Sequence, residues 1–282
     1  DAGPHKLGSR TAIVSRRAAK KDLLRIIQGG CELGIPVLIG SAGGSGGESH
    51  VRWTMDIIEE ILSEHPTWQP KTAVIWADIP NEAILAQLEE GKVVPLDALE
   101  LPLDEEILSQ PTGVVAQMGI EPILEVLQAG ADLVVCGRAY DPAPFAAVGV
   151  LHGFDLALSY HLGKVLECGA LCCNPGTTKD CMLGVLYEEC FEVYPCDEKR
   201  LCTPTSVAAH TFYEKDHPYL LHGPGIAMDL SGCTFEALSR NRVRVKGSRL
   251  SATDPYQIKL EGARKVAYRT FVVAGVRDPL LV

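Results

Sequence analysis

The sequence is poor in several features that mark particular classes of protein. Aromatic residues make up only 6% of its 282 residues, so a core has to rest on Leu, Ile, Val and Ala. Positive charge is in deficit: 26 Lys and Arg stand against 36 Asp and Glu, a formal net charge of −10. Nucleic acids and anionic membrane surfaces call for a basic footprint. The one basic cluster, Arg16, Arg17, Lys20 and Lys21, fits one helical turn and reads as a solvated helix face. No apolar run approaches the roughly 18 residues of a membrane helix, and no signal-peptide-like apolar stretch precedes the turn-like first residues. The expectation is a soluble, cytoplasmic protein with neither nucleic acid nor membrane as partner. Internal repeats and low-complexity tracts are missing as well.

Cysteine is present but not patterned. Ten Cys in 282 residues are too sparse for a disulfide scaffold, and reduced thiols are expected. Eight of the ten fall between Cys136 and Cys202, yet no Cys-x-x-Cys occurs. The run Cys168, Cys172, Cys173, Cys181, Cys190, Cys196, Cys202 fits no standard zinc or iron–sulfur spacing. Buried thiols, no metal and no identifiable cofactor are the expectation.

What is there reads first as an α/β fold. Ser15 caps a helix with Ala19, Leu23, Ile26, Ile27 and Cys31 as its apolar stripe, and Gly34 stops it. Residues 35–39 form a short, continuously apolar run of the kind buried in parallel sheets. Val51, Met55, Ile58 and Leu62 mark a second helix, residues 72–79 a strand, and Pro80 opens a helix ending at Gly91. Strand 113–118, helix 121–129 and strand 132–136 continue the alternation. Such alternation predicts a parallel sheet with helices on both faces. Helices at 155–167 and 202–214 follow. After residue 224 the pattern changes to period two, with runs at 242–246 and 256–260 and a longer strand at 266–276. A mixed or antiparallel β-rich part is expected there. The division predicted is a parallel α/β domain, 1–152, and an α+β part, 153–282, packed with it as one unit.

Ligands of open α/β sheets bind beyond the carboxyl ends of the strands, and two strands here end in suggestive loops. The first is Gly40-Ser-Ala-Gly-Gly-Ser-Gly-Gly47, five glycines in eight positions, ahead of a helix. Gly43, Gly44, Gly46 and Gly47 would let backbone amides converge on a phosphate, diphosphate or carboxylate. The spacing is neither the dinucleotide fingerprint nor a phosphate-binding loop with its terminal Lys-Ser/Thr. The second is Cys136-Gly-Arg-Ala-Tyr-Asp-Pro142. Arg138 offers a planar fork for an anion. Asp141 is a general base, an orienting partner for Arg138, or a helix cap.

Two helices carry further chemistry. In His161-Leu-Gly-Lys-Val-Leu-Glu-Cys168, His161, Lys164 and Cys168 share one face and Glu167 lies beside Lys164. His, Lys and Glu on one edge can move protons near neutral pH; the plain reading is a solvated face with a Lys164–Glu167 pair. In Cys202-Thr-Pro-Thr-Ser-Val-Ala-Ala-His210, Thr203, Thr205 and Ser206 surround a helix start suited to an anion. His210 and Glu214 follow Ser206 at one-turn intervals. A Ser206–His210–Glu214 triad is disfavoured, because triads usually draw on separate segments and no Gly-x-Ser-x-Gly elbow occurs.

These segments carry a resemblance. Asp1-Ala-Gly-Pro-His-Lys-Leu-Gly8, the 40–47 loop, Cys136-Gly-Arg-Ala-Tyr-Asp141, residues 161–169, the stretch from Cys202 to Glu214, and Lys259-Leu-Glu-Gly262 with Tyr268-Arg-Thr270 together resemble the acyclic terpene utilisation family. The resemblance spans nearly the whole chain. It implies a longer protein, with a strand and helix before residue 1. It also implies a small ferredoxin-like domain or partner protein, and company among enzymes of acyl-CoA and branched-acid breakdown.

The reading is therefore a catabolic enzyme, a hydro-lyase (hydratase or dehydratase) acting on a small or branched carboxylic acid or its acyl-CoA thioester, with CoA as part of the substrate. His161, His210, Glu167, Asp141 and Lys164 are the acid/base candidates. Gly43, Gly44, Gly46, Gly47, Arg138, Thr203, Thr205 and Ser206 are the ligand-binding candidates. One alternative is a hydrolase using Ser206 or a cysteine nucleophile. Another is a non-catalytic acyl-binding subunit of a complex. A homo-oligomer, a ferredoxin-like partner, or both are expected.

Overall fold

Local chemistry starts the chain as its spacing predicts. The computed structural model describes residues 3–96, 103–109, 112–213, 217–264, 266–275, 277 and 280. A short helix, α1 (Gly3–Ser9), leads to α2 (Arg16–Leu33). Ser15 caps α2 by accepting from the Ala18 amide, and Gly34 closes it in the left-handed region, φ 65°, donating to the Gly30 carbonyl. A serine cap of this kind contributes about 1 kcal/mol. Leu23 and Ile27 of the stripe are buried; Ile26 is half exposed.

β1 (Val37–Ile39), α3 (Glu48–Glu64), β2 (Thr72–Ile75), α4 (Asn81–Glu89), α5 (Glu105–Ser109), β3 (Thr112–Ala116), α6 (Glu121–Gln128), β4 (Leu133–Cys136) and α7 (Ala143–Leu151) follow. β1, β4 and β2 form a parallel sheet in that order, with Leu133 level with both Val37 and Thr72. Every residue of the central strand β4 is buried, as a strand covered on both faces requires. Leu23 and Ile27 of α2 and Ile57, Ile58 and Ile61 of α3 pack on Leu133 and Val135. Ile123 of α6 and Ala143, Ala146 and Ala147 of α7 pack on the opposite side, against Val134 and Cys136.

The second half begins with α8 (Leu156–Leu166), β5 (Met182–Leu186), β6 (Phe191–Pro195) and α9 (Pro204–Thr211). It continues through β7 (Leu220–Gly223), β8 (Ile226–Asp229), β9 (Thr234–Ser239), β10 (Arg242–Lys246), β11 (Arg249–Ala252) and β12 (Leu260–Arg264). Two antiparallel sheets result, β5-β6-β10-β9 and β11-β8-β7. Cores of the two halves merge: Ile226, Met228 and Leu230 lie in one cluster with Ile123 and Val134. Among the described residues, no helix is long and apolar enough to cross a membrane.

Three elements differ from the sequence pattern. β3 does not join the parallel sheet; it pairs antiparallel with β12, Val115 opposite Glu261. The alternating run at 256–260 reaches strand geometry only at Leu260. The apolar run expected as a strand at 266–276 has none over its described residues, and Val272 and Val273 lie exposed. Apolarity alone does not make a strand without a neighbour to bond.

Gly46 shows how closely the two strand-end loops approach. It sits at φ 66°, and a Cβ there would run into the backbone of Arg138 and Gly137. The Arg138 amide donates to the Gly46 carbonyl at 3.1 Å. Gly34 has a similar φ but open space around it. Gly34→Ala should therefore lose about 1–2 kcal/mol, the left-handed penalty alone, and Gly46→Ala distinctly more. Denaturant midpoints of the two variants check this; equal losses would show that the loop contact is not tight.

Candidate functional site

The carboxyl ends of β1 and β4 are tied together by polar side chains. Ser41, in the left-handed region at φ 44°, accepts from the Ala139 amide at 3.2 Å and from Arg138 Nη1 at 3.0 Å. Arg138 is only 2% exposed. Its Nε and Nη2 donate to the two carboxylate oxygens of Glu261 on β12, both at 3.1 Å, and Nη1 reaches Asp141 Oδ1 at 3.1 Å. Burial works against the Glu261 carboxylate, but Arg138 and then Lys259 outweigh it and hold its pKa below the ordinary range. The guanidinium thus serves ligands inside the protein, in a bidentate clasp that a lysine could not reproduce.

The start of α3 is also engaged. Asp78, beyond the end of β2, accepts a hydrogen bond from the Glu48 backbone, so this helix start already faces a carboxylate. Partial burial nevertheless raises the Asp78 pKa above its usual value.

A cavity of about 930 Å³ opens at this end of the sheet. Its walls are Leu38 and Ile39 of β1, the loop residues 40–44, Ala139 and Asp141 after β4, part of α7, and the end of α8. Most of the lining is apolar, and Ile13, Val14, Ile26 and Phe145 form a partly exposed apolar rim. The volume is that of a small-molecule site, which runs about 300–1,000 Å³. A smaller hollow of about 330 Å³ lies at the opposite edge, by Val37, Leu133 and Trp68. The larger cavity occupies the end at which open parallel sheets bind ligands.

α8 is buried on all sides rather than half solvated. Asp155 caps it by accepting from the Leu158 amide. Gly163 lies so close to Pro142 that a Cβ would sit 2.6 Å from the Pro142 carbonyl oxygen, and Gly184 of β5 abuts Leu162. The Lys164–Glu167 pair expected on a wet face therefore forms in the interior: Nζ to Oε1 is 2.5 Å, and the side chains are 6% and 7% exposed. Glu167 and the next residue, Cys168, form part of the cavity wall. His210 of α9 joins them, and donor atoms of Glu167, Cys168 and His210 lie within 4.8 Å of one another. Tyr213 stacks on the His210 ring at 6.0 Å, and Lys164 Nζ lies 6.0 Å from the same tyrosine ring.

The remaining candidates are distributed differently. His161 is fully buried; Nδ1 meets Ser248 Oγ at 2.7 Å, Nε2 meets Thr211 Oγ1 at 3.0 Å, and Phe191 stands edge-on at 5.0 Å. It links α8 to α9 from behind and is not on the cavity wall. Gly43 and Gly44 border the cavity, whereas Gly46 packs on Arg138 and Gly47 on Leu7. Thr203 and Ser206 satisfy each other in a capping box: Ser206 Oγ donates to the Thr203 carbonyl and accepts from the Thr203 amide, both at 3.0 Å. Thr205 is exposed, and Glu214 lies outside the described residues.

Two participants escaped sequence reasoning. Ser41, among the glycines of the 40–47 loop, ties the end of β1 to the residues after β4. Tyr140 stands between the two singled-out residues Arg138 and Asp141. Burial pushes its phenol well above the ordinary range, and the charges of Glu167 and Asp141 add to the shift, so it keeps its proton. Cys168, which helical spacing puts on one face with His161 and Lys164, lies beside Glu167 on the cavity wall.

The Arg138–Glu261 clasp generates a sign-definite test. A carboxyl held below its ordinary 4.5 stabilises the fold fully above about pH 4.5, and that stabilisation fades as pH falls through the folded value. The stability gap between wild type and Glu261→Gln should be constant near neutrality and close in acid, as read by urea unfolding across pH. A gap that persists at about pH 3 would show that the ionised carboxylate is not the stabilising form. Arg138→Ala, which strands a buried charge, should cost about 3–5 kcal/mol.

Comparison with known proteins agrees with the features above. No curated relative and no solved structure matches. The pattern of the acyclic terpene utilisation family protein AtuA matches residues 37–182 and 195–279, which is most of the chain and takes in the glycine loop, the Arg138–Asp141 turn, α8 and α9. The chain belongs to the acyclic terpene utilisation (AtuA) family.

Proposed function

We propose that the chain is the substrate-binding core of a hydro-lyase that adds water to, or removes it from, a small or branched carboxylic acid or its acyl-CoA thioester. The observation that carries the reading is one cavity with apolar walls and two separate proton-handling groups, Asp141 after β4 and Glu167 at the end of α8. Membership of a family concerned with acyclic terpenes supports a branched apolar chain as the occupant.

Hydration beside a carbonyl needs a base that takes a proton from water as its oxygen bonds to the β-carbon, and an acid that delivers a proton to the α-carbon. Glu167, held by Lys164, is assigned the base. His210 adjoining it and Asp141 across the cavity are the groups that return a proton. The side-chain-free backbone at Gly43 and Gly44 borders the polar end of the substrate. Arg138 is assigned a positioning role, because its guanidinium is engaged by Glu261 and Asp141. His161 likewise acts through Thr211, by setting α9 against α8.

Glu167→Gln and Asp141→Asn should each lower kcat for hydration of branched enoyl thioesters by about 10²-fold or more. The melting temperature should stay close to wild type in Asp141→Asn, whose side chain is partly exposed, and fall in Glu167→Gln, which strands the buried Lys164 ammonium. Undiminished turnover in both would remove the acid/base assignment. A hydrolytic reading keeps one specific observation, the Cys168 thiol on the cavity wall near His210. It predicts instead a trapped thioester on Cys168 that Cys168→Ser abolishes. Ser206 is a poor nucleophile here, since its hydroxyl belongs to the α9 cap.

A further inference from the structure

We infer that Glu167, Cys168 and His210 form a three-ligand site for a zinc ion, with its fourth side open to the cavity. Donor atoms of the three side chains lie within 4.8 Å of one another. Zinc bonds of about 2.0–2.3 Å in tetrahedral array place ligand atoms roughly 3.3–3.7 Å apart, so side-chain adjustments of about an ångström close the set. The donors are borderline to soft: a thiolate, an imidazole and a carboxylate. That composition suits zinc and argues against magnesium or calcium, which favour oxygen alone. A thiolate and a carboxylate together balance the charge of a divalent ion.

The scaffold is rigid where such a site needs it. Glu167 and Cys168 close the fully buried helix α8, and His210 projects from α9, which the His161–Thr211 hydrogen bond pins to α8. Outer contacts of the kind that orient metal ligands are in place. Lys164 holds Glu167 through Oε1, and Tyr213 stacks on the His210 ring. Glu167 and Cys168 are themselves wall residues of the cavity, so the fourth position faces its contents. Three protein ligands and one open position distinguish a catalytic zinc site from a structural one. With the ion in place, a water bound there would be acidic enough to act near neutral pH, so the ion would take over the water-activating role and Glu167 would serve as its ligand instead of as the base. The inference rests on the reading of this cavity as the substrate site and names the ion that would work in it.

The test uses the full chain, stripped with a chelator and titrated with Co²⁺ and with Zn²⁺ in the absence of any acyl compound. One ion per chain is expected, with a thiolate-to-cobalt absorption band that Zn²⁺ displaces. Cys168→Ser should abolish the band, and His210→Gln should weaken zinc binding at least tenfold, whereas Cys173→Ser, at a buried thiol outside this set, should change neither. Circular dichroism reports whether Cys168→Ser is folded; if it is not, His210→Gln carries the test. A cobalt band that survives Cys168→Ser, the absence of stoichiometric binding by folded protein, or Cys168 alkylation at the same rate with and without zinc would overturn the site. Binding of a branched enoyl thioester by the metal-free protein would then leave the cavity's function standing while the zinc falls.

Discussion

A buried ion pair organises this molecule. Arg138 stands just past the central strand of the parallel sheet, and Glu261 comes from a strand more than a hundred residues later. Two charges with side chains 3% and 9% exposed are costly to bury and cannot be separated once buried. The pair therefore fixes where β12 lies, and with it β3, which forms its own antiparallel ribbon beside the parallel sheet. Through Ser41 and Asp141 the same guanidinium also fixes the loop after β1 and the turn after β4. The walls of the cavity on this side follow from that single network.

The opposite wall is set by helix burial. α8 is enclosed by α7, α9 and β5 because Gly163 and Gly184 permit backbone and side chains to approach closely. Enclosure changes the meaning of its polar residues. A Lys–Glu pair in water contributes little, but the same pair in the interior fixes a carboxylate at a defined point beside an apolar chamber. His161 and His210, one on each of two neighbouring helices, serve different ends: the first is locked to Ser248 and Thr211, and the second reaches the Glu167–Cys168 corner.

Much of this was legible in the sequence, and the exceptions have physical reasons. α2 was bounded by Ser15 and Gly34, α9 by Thr203 and Pro204, and β1 and β4 by short apolar runs, because caps and strand burial are local effects. The glycine loop was legible as a close approach, although its main neighbour at Gly46 is the chain itself. Nothing local links Arg138 to Glu261, or Cys168 to His210, since both depend on how distant segments pack. The separation of His161 from the cavity was illegible for the same reason: helical spacing places it on the face of Lys164 and Cys168, and only the packing of β6, β11 and α9 turns it inward. The run at 266–276 was read as a strand from apolarity, but a strand also needs a hydrogen-bonding neighbour.

The central claim is that the cavity between the glycine loop and the end of α8 holds the substrate. Photoaffinity labelling with a branched carboxylic acid bearing a diazirine on its apolar chain tests it most directly. The account predicts that the label, mapped by mass spectrometry, falls within 139–148 or 162–168 and is competed by the unlabelled acid. Competable labelling confined to the hollow near Cys31, Trp68 and Asp132 would contradict it.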